Sequence, residues 1–189
     1  MRIRVVRHGK PAYRYPPRGG WCHASAFNEA LDAYDLAGLD TAWNPSRRPE
    51  LSAARLFSSD LPRALETAVL CTGAAADKMH VSPVFREIPL PRWSPGRLRL
   101  PLFVWMAGSR LAWYFGWLRG AETRRQSTRR VERAADLLEK GGHENSDVLL
   151  FAHGFFLWLL GKELKRRDWK TSKKGIYRYL EVAEFRRGE

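Results

Sequence analysis

The amino-acid sequence predicts an α/β fold of three layers, with a mostly parallel central sheet and helices on both faces. Three observations carry that reading. Apolar, strand-like runs alternate with stretches of helical spacing, each run stops at a short polar turn, and the turns lead directly into helices. The first run, "RIRVV" at 2–6, alternates arginine with apolar residues and ends before Gly9-Lys10-Pro11, so Arg7 and His8 stand at a strand's carboxyl end. "ASAFNEALDAYDLAGL" at 24–39 sets Phe27, Leu31, Tyr34 and Leu39 at helical intervals, with Gly38 as the stop, and reads as a helix returning across the sheet.

"ARLFSSDLPRALETAVLCTG" repeats the pattern: a short strand through Leu56 and Phe57, Ser59 or Asp60 as N-cap, Pro62 in the first turn and a helix running to Gly73. A further short strand is expected to end near "VSPVFREIPLP". "SDVLLFAHGFFLWLLGKEL" supplies an apolar strand, a turn at His153-Gly154 and another helix. The tail "IYRYLEVAEF" alternates as a last strand, giving five strands in all.

A chain of 189 residues suits one domain over 1–189, and 44% hydrophobic residues argue against disorder. Two cysteines, Cys22 and Cys71, make no disulfide framework, and the N-terminus has no apolar signal region, so a reducing cytoplasm is the expected compartment. The net charge of +13 favours anionic partners without choosing among phosphates, nucleic acids and acidic lipids. A Gly-rich P-loop, a Cys/His metal spacing and an aromatic RNA-binding signature are all missing from the sequence, which argues against nucleic acid and against a metal or other cofactor.

Ligands of open α/β sheets bind outside the carboxyl ends of the strands. Four turns deliver Arg7 with His8, Arg63, Glu87 and His153 to such positions. Taken singly, each has a bland explanation as a solvated or core residue. Together, two arginines, two histidines and a carboxylate suit phosphoryl transfer, which depends on positioning and charge stabilisation. Neighbouring arginines also keep an imidazole neutral, the form that attacks phosphorus.

The four segments "VRHGK", "SSDLPRALETA", "FREIPL" and "FAHGFFLWLL", in that order, resemble the histidine phosphatase superfamily, also called phosphoglycerate mutase-like. The resemblance covers 1–10, 56–68, 84–90 and 147–160 and is blank over roughly 91–145. It implies that His8 is the nucleophile that becomes a phosphohistidine, and that Arg7, Arg63 and His153 hold the phosphoryl oxygens. It also implies that Glu87 donates a proton to the leaving alcohol and then activates water. A carboxyl beside a phosphate dianion holds its proton more readily, which suits an acid. Many relatives continue Arg-His-Gly with Glu-Thr and a later Asn that donates to phosphate; here Lys10-Pro11 follows, and Lys10 is the candidate replacement. "FREIPLPRWSPGRL" also lacks the Gly and Trp-Glu-Gly that commonly follow the acid. The activity implied is a metal-independent phosphomonoesterase for a small phosphorylated substrate. A phosphoglycerate-type mutase and a phosphoprotein phosphatase are the alternatives within the fold, and a basic polyanion- or membrane-binding module on a degenerate phosphatase fold is the alternative from another class.

"LPLFVWMAGSRLAWYFGWLRG" at 100–120 is unusual: Leu102 to Leu118 holds one charge, Arg110, and three tryptophans, Trp105, Trp113 and Trp117. It is shorter than the ~20 apolar residues that span a bilayer. A hydrophobic cap insertion at about 91–145 is favoured, then a membrane-interface helix with peripheral contact to anionic lipid, then a true span. The basic run that follows, with Arg124, Arg125, Arg129, Arg130 and Arg133, reads as a solvated helix face. Lys162, Lys165 and Arg166 complement the end of the helix after His153. Substrate identity and oligomeric state are left open by the sequence.

Overall fold

The computed structural model describes residues 1–13, 20–40, 42, 51, 53, 55–117, 122–142 and 147–187. In chain order it contains β1 (Arg2–Arg7), β2 (Trp21–His23), α1 (Ala24–Leu36), β3 (Arg55–Ser58) and α2 (Pro62–Thr72). Then come β4 (His80–Val81), β5 (Arg99–Pro101), α3 (Leu102–Phe115) and α4 (Arg124–Gly141). The chain closes with β6 (Asp147–Ala152), α5 (Gly154–Arg166), β7 (Trp169–Lys170) and β8 (Val182–Arg187). Two compact units result: Met1–Ala12 with Gly38–Glu87 and Thr128–Glu189, and Tyr13–Ala37 with Ile88–Ser127.

The first unit is built on a six-stranded sheet of order β4-β3-β6-β1-β8-β7. β4, β3, β6 and β1 run parallel, β8 joins their edge antiparallel to β1, and β7 pairs antiparallel with β8. With its helices this is a three-layer α/β fold. The alternation in β1 works as the sequence implies: Ile3 and Val5 are buried, while Arg2 and Arg4 turn to Asp147 at the start of β6. β6 is apolar because it lies in the middle of the sheet, with Val148 to Ala152 fully buried. Val6, Leu149 and Phe151 pack with Ala68 and Cys71 of α2 in one cluster.

The parallel register sets the functional edge. Arg7 pairs with Ala152 and Ser58 with Phe151, so β1, β6 and β3 release His8, His153 and Ser59 side by side. The His8 N–H donates to the Ala152 carbonyl (2.9 Å) and the Ser59 N–H to the Phe151 carbonyl (3.0 Å), which carries the ladder one residue into each turn.

Several boundaries differ from the sequence reading. Leu61, not Ser59 or Asp60, is the N-cap of α2, with Pro62 at its first position. α1 stops at Leu36, where Ala37 turns extended. Gly38 is there for a close approach: a Cβ on it would lie 2.6 Å from a Glu66 carboxylate oxygen, and the same carboxylate accepts from the Leu39 N–H. The last strand begins at Val182 instead of Ile176, since Leu180 adopts a left-handed backbone (φ 56°) that breaks the extended run. Eight strands are present among the described residues, because β2, β5 and β7, of three residues or fewer, are too short for a period to register.

The second unit pairs β2 with β5 antiparallel and packs α1 and α3 beside them. Ala24, Phe27, Leu102 and Trp105 form its core, and the Phe27 and Trp105 rings stack at 6.1 Å. The indole N–H of Trp105 donates to the Cys22 carbonyl (2.9 Å) and that of Trp93 to Ser109 Oγ (2.6 Å). The aromatic run thus forms one 14-residue helix, α3, capped by Gly116 at φ 69°. The end of the apolar run, at Leu118, lies outside the described residues. Among those described, no helix is long and apolar enough to cross a membrane.

Candidate active site

Arg7, His8, Lys10, Arg63, Glu87 and His153 all belong to the first unit. His8 is 1% exposed and its ring centroid lies 5.0 Å from that of His153, which is fully buried. The Nδ1 of His8 is 2.6 Å from the Gly9 carbonyl oxygen. A carbonyl only accepts, so Nδ1 carries the proton and Nε2 presents its lone pair. Burial first, then the charge of Arg63, holds the His8 imidazole down to about 3, with Arg7 adding to the effect and the Gly9 bond opposing it. His153 is likewise held well below its ordinary range, by burial and by the neighbouring His8, Arg63 and Arg7. Both rings are therefore neutral near pH 7.

Arg63 is the second residue of α2 and fully buried. A short relay fixes it relative to the His8 turn: the Gly9 N–H donates to Thr67 Oγ1 (2.9 Å), and the Thr67 hydroxyl donates to the Arg63 carbonyl (2.5 Å). Arg7 donates from Nη1 to the Tyr177 carbonyl (2.6 Å), and its guanidinium lies 4.3 Å over the Tyr179 ring. The left-handed turn at Leu180 helps present that ring, with the Leu180 N–H donating to the Arg7 carbonyl (3.0 Å). On the other side, a Cβ at Gly154 would stand 3.1 Å from Arg7 Nε, so glycine at the start of α5 lets the helix end approach the guanidinium. Arg7 Nε and His153 Nδ1 are buried without a hydrogen-bond partner among the described residues.

Glu87 lies beyond β4 and the short 3₁₀ turn Pro83–Phe85. Its carboxylate accepts from the backbone N–H groups of Phe155 (3.1 Å) and Phe156 (2.8 Å), two donors in the first turn of α5. A carboxylate at that end of a helix satisfies otherwise orphan donors and opposes the positive end of the dipole. The same bonds hold Glu87 beside the turn that carries His153. Lys10 pairs with Asp40 (2.9 Å) and its side chain is 43% exposed.

Four contributors were not singled out from the sequence as parts of the site. Ser59 Oγ lies 2.9 Å from His153 Nε2, Thr67 forms the relay just described, and Tyr179 covers Arg7. Arg130 corrects the reading of α4 as a uniformly solvated basic face. It donates to the carbonyls of Val84 (3.0 Å) and Arg86 (2.7 Å) and lies over the Phe156 ring, fastening the segment that ends in Glu87. Its position was legible: it flanks the buried stripe Ser127, Val131, Ala134, Ala135 and Leu138. The second basic run also has structural work, since Arg167 bonds Glu163, Asp136 and Glu139 and so ties α5 to α4.

These side chains form a buried, cationic cluster with one lone-pair nitrogen and a nearby carboxylate. No group of three or more His, Cys, Asp or Glu among the described residues is arranged to hold a metal ion. Such a cluster has the chemistry to hold a tetrahedral oxyanion and present a nucleophile to its central atom.

The family model described as the histidine phosphatase superfamily (branch 1) matches residues 3–188. No curated protein matches the sequence. Among solved structures, the chain is similar to the product of an open reading frame of Mycobacterium tuberculosis (16% identity, TM-score 0.61, covering 97% of this chain and 90% of that one). It is similar to a mycobacterial glucosyl-3-phosphoglycerate phosphatase (24%, TM-score 0.55, 97% and 88%). It also resembles the ecdysone phosphate phosphatase of Bombix mori in complex with tungstate (16%, TM-score 0.54, 98% and 88%). At these identities the likeness concerns the fold.

Proposed function

Since this chain belongs to the histidine phosphatase superfamily (branch 1), we propose that it hydrolyses a small phosphomonoester without a metal ion, through a phosphohistidine on His8. The observation that carries the reading is the His8 tautomer: Nδ1 is committed to the Gly9 carbonyl, which leaves Nε2 as a lone pair among Arg7, Arg63 and His153.

Nε2 attacks phosphorus as the P–O bond to the alcohol breaks, and Glu87 gives its proton to the departing oxygen. Glu87 then takes a proton from water, whose oxygen attacks the phosphohistidine, releasing phosphate and restoring neutral His8. Arg7, Arg63 and His153 hold the equatorial oxygens, and Lys10 is a rim cation. Ser59 and Thr67 position His153 and the His8 turn. The relatives described above are named for a glucosyl phosphoglycerate and an ecdysone phosphate, which share only the phosphomonoester with one another.

The test is phosphate release from p-nitrophenyl phosphate in the presence of EDTA. The wild type is expected to turn over, and His8→Ala, checked for folding by circular dichroism, is expected to lose at least about 1000-fold in kcat/KM. Undiminished activity in that variant would refute the reading.

A further inference from the structure

We propose that the outward face of α3 docks this protein on an anionic lipid bilayer, with the helix lying in the plane of the headgroups. The second unit carries the inference by itself, and it does not depend on the reaction proposed above.

α3 is apolar on both sides. Leu102, Trp105, Ser109, Ala112 and Trp113 form its buried face. Opposite them, Phe103, Ala107, Leu111 and Tyr114 are exposed, with Met106 and Phe115 at the margins. Of its 14 residues only Arg110 is charged. A helix on a protein surface normally turns charged or polar residues to water, and a contiguous exposed apolar face marks a contact surface. At 1.5 Å per residue the helix is about 21 Å long, too short for a hydrocarbon core of about 30 Å. Lying in the interface suits that length.

Charge selects the occupant. Residues 88–121 contain five arginines and no aspartate or glutamate. Arg97, Arg99, Arg124 and Arg125 are exposed. The Arg124 guanidinium sits 4.7 Å over the Tyr114 ring, while Phe115 and the 72% exposed Trp117 stack at 4.8 Å. Aromatic rings interleaved with guanidinium groups match the interfacial layer, where the rings meet acyl chains and the cations meet phosphate. Of the unit's four acidic side chains, Glu29, Asp32 and Asp35 are on α1, where Asp32 is already bound by Arg92, and Glu122 alone lies near the basic cluster, one carboxylate to the exposed Arg97, Arg99, Arg124 and Arg125. An apolar cavity of about 320 Å³, lined by Trp93, Leu98, Leu100, Val104, Trp105 and Gly108, adds a recess for a lipid tail, with the exposed Leu98 on its wall. A second copy of the chain fits less well, because a two-fold contact through this face would set the same arginines against one another.

Flotation of the full chain with vesicles tests the assignment. Binding to phosphatidylcholine mixed with phosphatidylglycerol is expected to be at least about tenfold tighter than to phosphatidylcholine alone. Phe103→Glu with Leu111→Glu should weaken it by at least about tenfold. Lys170→Gln with Lys174→Gln, which removes the same two units of charge from the first unit, should weaken it distinctly less. Phe103→Ser with Leu111→Ser tests the apolar contribution without a change of charge and should also weaken binding, with circular dichroism as the folding control. Equal losses in the two charge-matched pairs, or no binding to the mixed vesicles, would overturn the proposal. So would a dimer seen by light scattering that Phe103→Glu with Leu111→Glu dissociates, which would give the face to a second copy.

Discussion

In the first unit Arg63 is fully buried and Arg7 half-buried beneath Tyr179, whereas in the second unit Arg97, Arg99 and Arg125 stand in water around an apolar helix. Burying a guanidinium costs several kcal/mol unless charge or hydrogen bonds compensate it. Two arginines set around two buried neutral histidines concentrate positive potential away from water, the feature on which the proposed anion site rests. Exposed arginines carry almost no such cost, and alone they say little. They become informative beside Phe103, Leu111 and Trp117, where the apolar surface is the costly feature and the cations indicate what could cover it. In each unit the partner is inferred from whichever group is in the wrong solvent.

Glu87 is where that comparison would break with the largest effect. It sits among the buried groups, yet its bonds to the Phe155 and Phe156 N–H groups would explain it as a helix cap with no chemistry at all. Glu87→Gln tests the two roles, because the amide oxygen still accepts from one of the two helix N–H groups while the carboxyl proton is gone. With an alkyl phosphate, whose leaving oxygen needs a proton, kcat is expected to fall about 100- to 1000-fold. With p-nitrophenyl phosphate, whose leaving group departs as a stable anion, the fall should be about tenfold or less. Equal and small losses on both substrates would leave Glu87 as a cap only.

The split between the units also explains what could be read from the sequence. Arg7, His8, Arg63, Glu87 and His153 were legible because each follows a strand or opens a helix, and a parallel sheet gathers such positions at one edge. Ser59, Thr67 and Tyr179 were not, since their contacts join residues 94, 58 and 172 positions apart, and nothing local in the sequence marks them. Arg130 was misread because four neighbouring arginines of α4 are what it appeared to be. α3 was recognised as apolar, but its two faces separate only once Leu102, Trp105 and Ala112 are seen to be buried.

The buried histidines give the next effect in size. Their folded-state affinities for a proton lie below the unfolded value of about 6.5: His8 falls to about 3, and His153 falls well below its usual range. Between those limits the unfolded chain binds more protons than the folded one, so acid favours unfolding. Stability is fully present above about pH 6.5 and is lost as pH falls, by up to about 1.4 kcal/mol per pH unit for each histidine. Urea denaturation at pH 7.5, 6.0 and 5.0 measures the slope, and His8→Ala should flatten it. An unchanged slope would mean that His8 is not held neutral, and the likeness drawn between the pocket and a waiting anion site would lose its support.

Lys10 offers the finest distinction, because it combines features of both regions: it adjoins the buried turn at Gly9 but keeps its ammonium at the surface on Asp40. A surface pair of this kind contributes under about 1 kcal/mol, so Lys10→Met should barely move the denaturation midpoint. If the ammonium also reaches the phosphate, the variant's KM should rise by about threefold, with kcat changing less than that, as expected for binding felt equally by substrate and transition state. Asp40→Asn gives the opposite sign, since releasing Lys10 from its carboxylate leaves the ammonium free to meet the substrate and should lower KM. If neither variant moves KM, Lys10 behaves like the exposed arginines, as a cation held by its own neighbours. If KM rises tenfold or more in Lys10→Met, it belongs with Arg7 and Arg63, and the pocket's charge extends farther toward solvent than the two buried guanidinium groups.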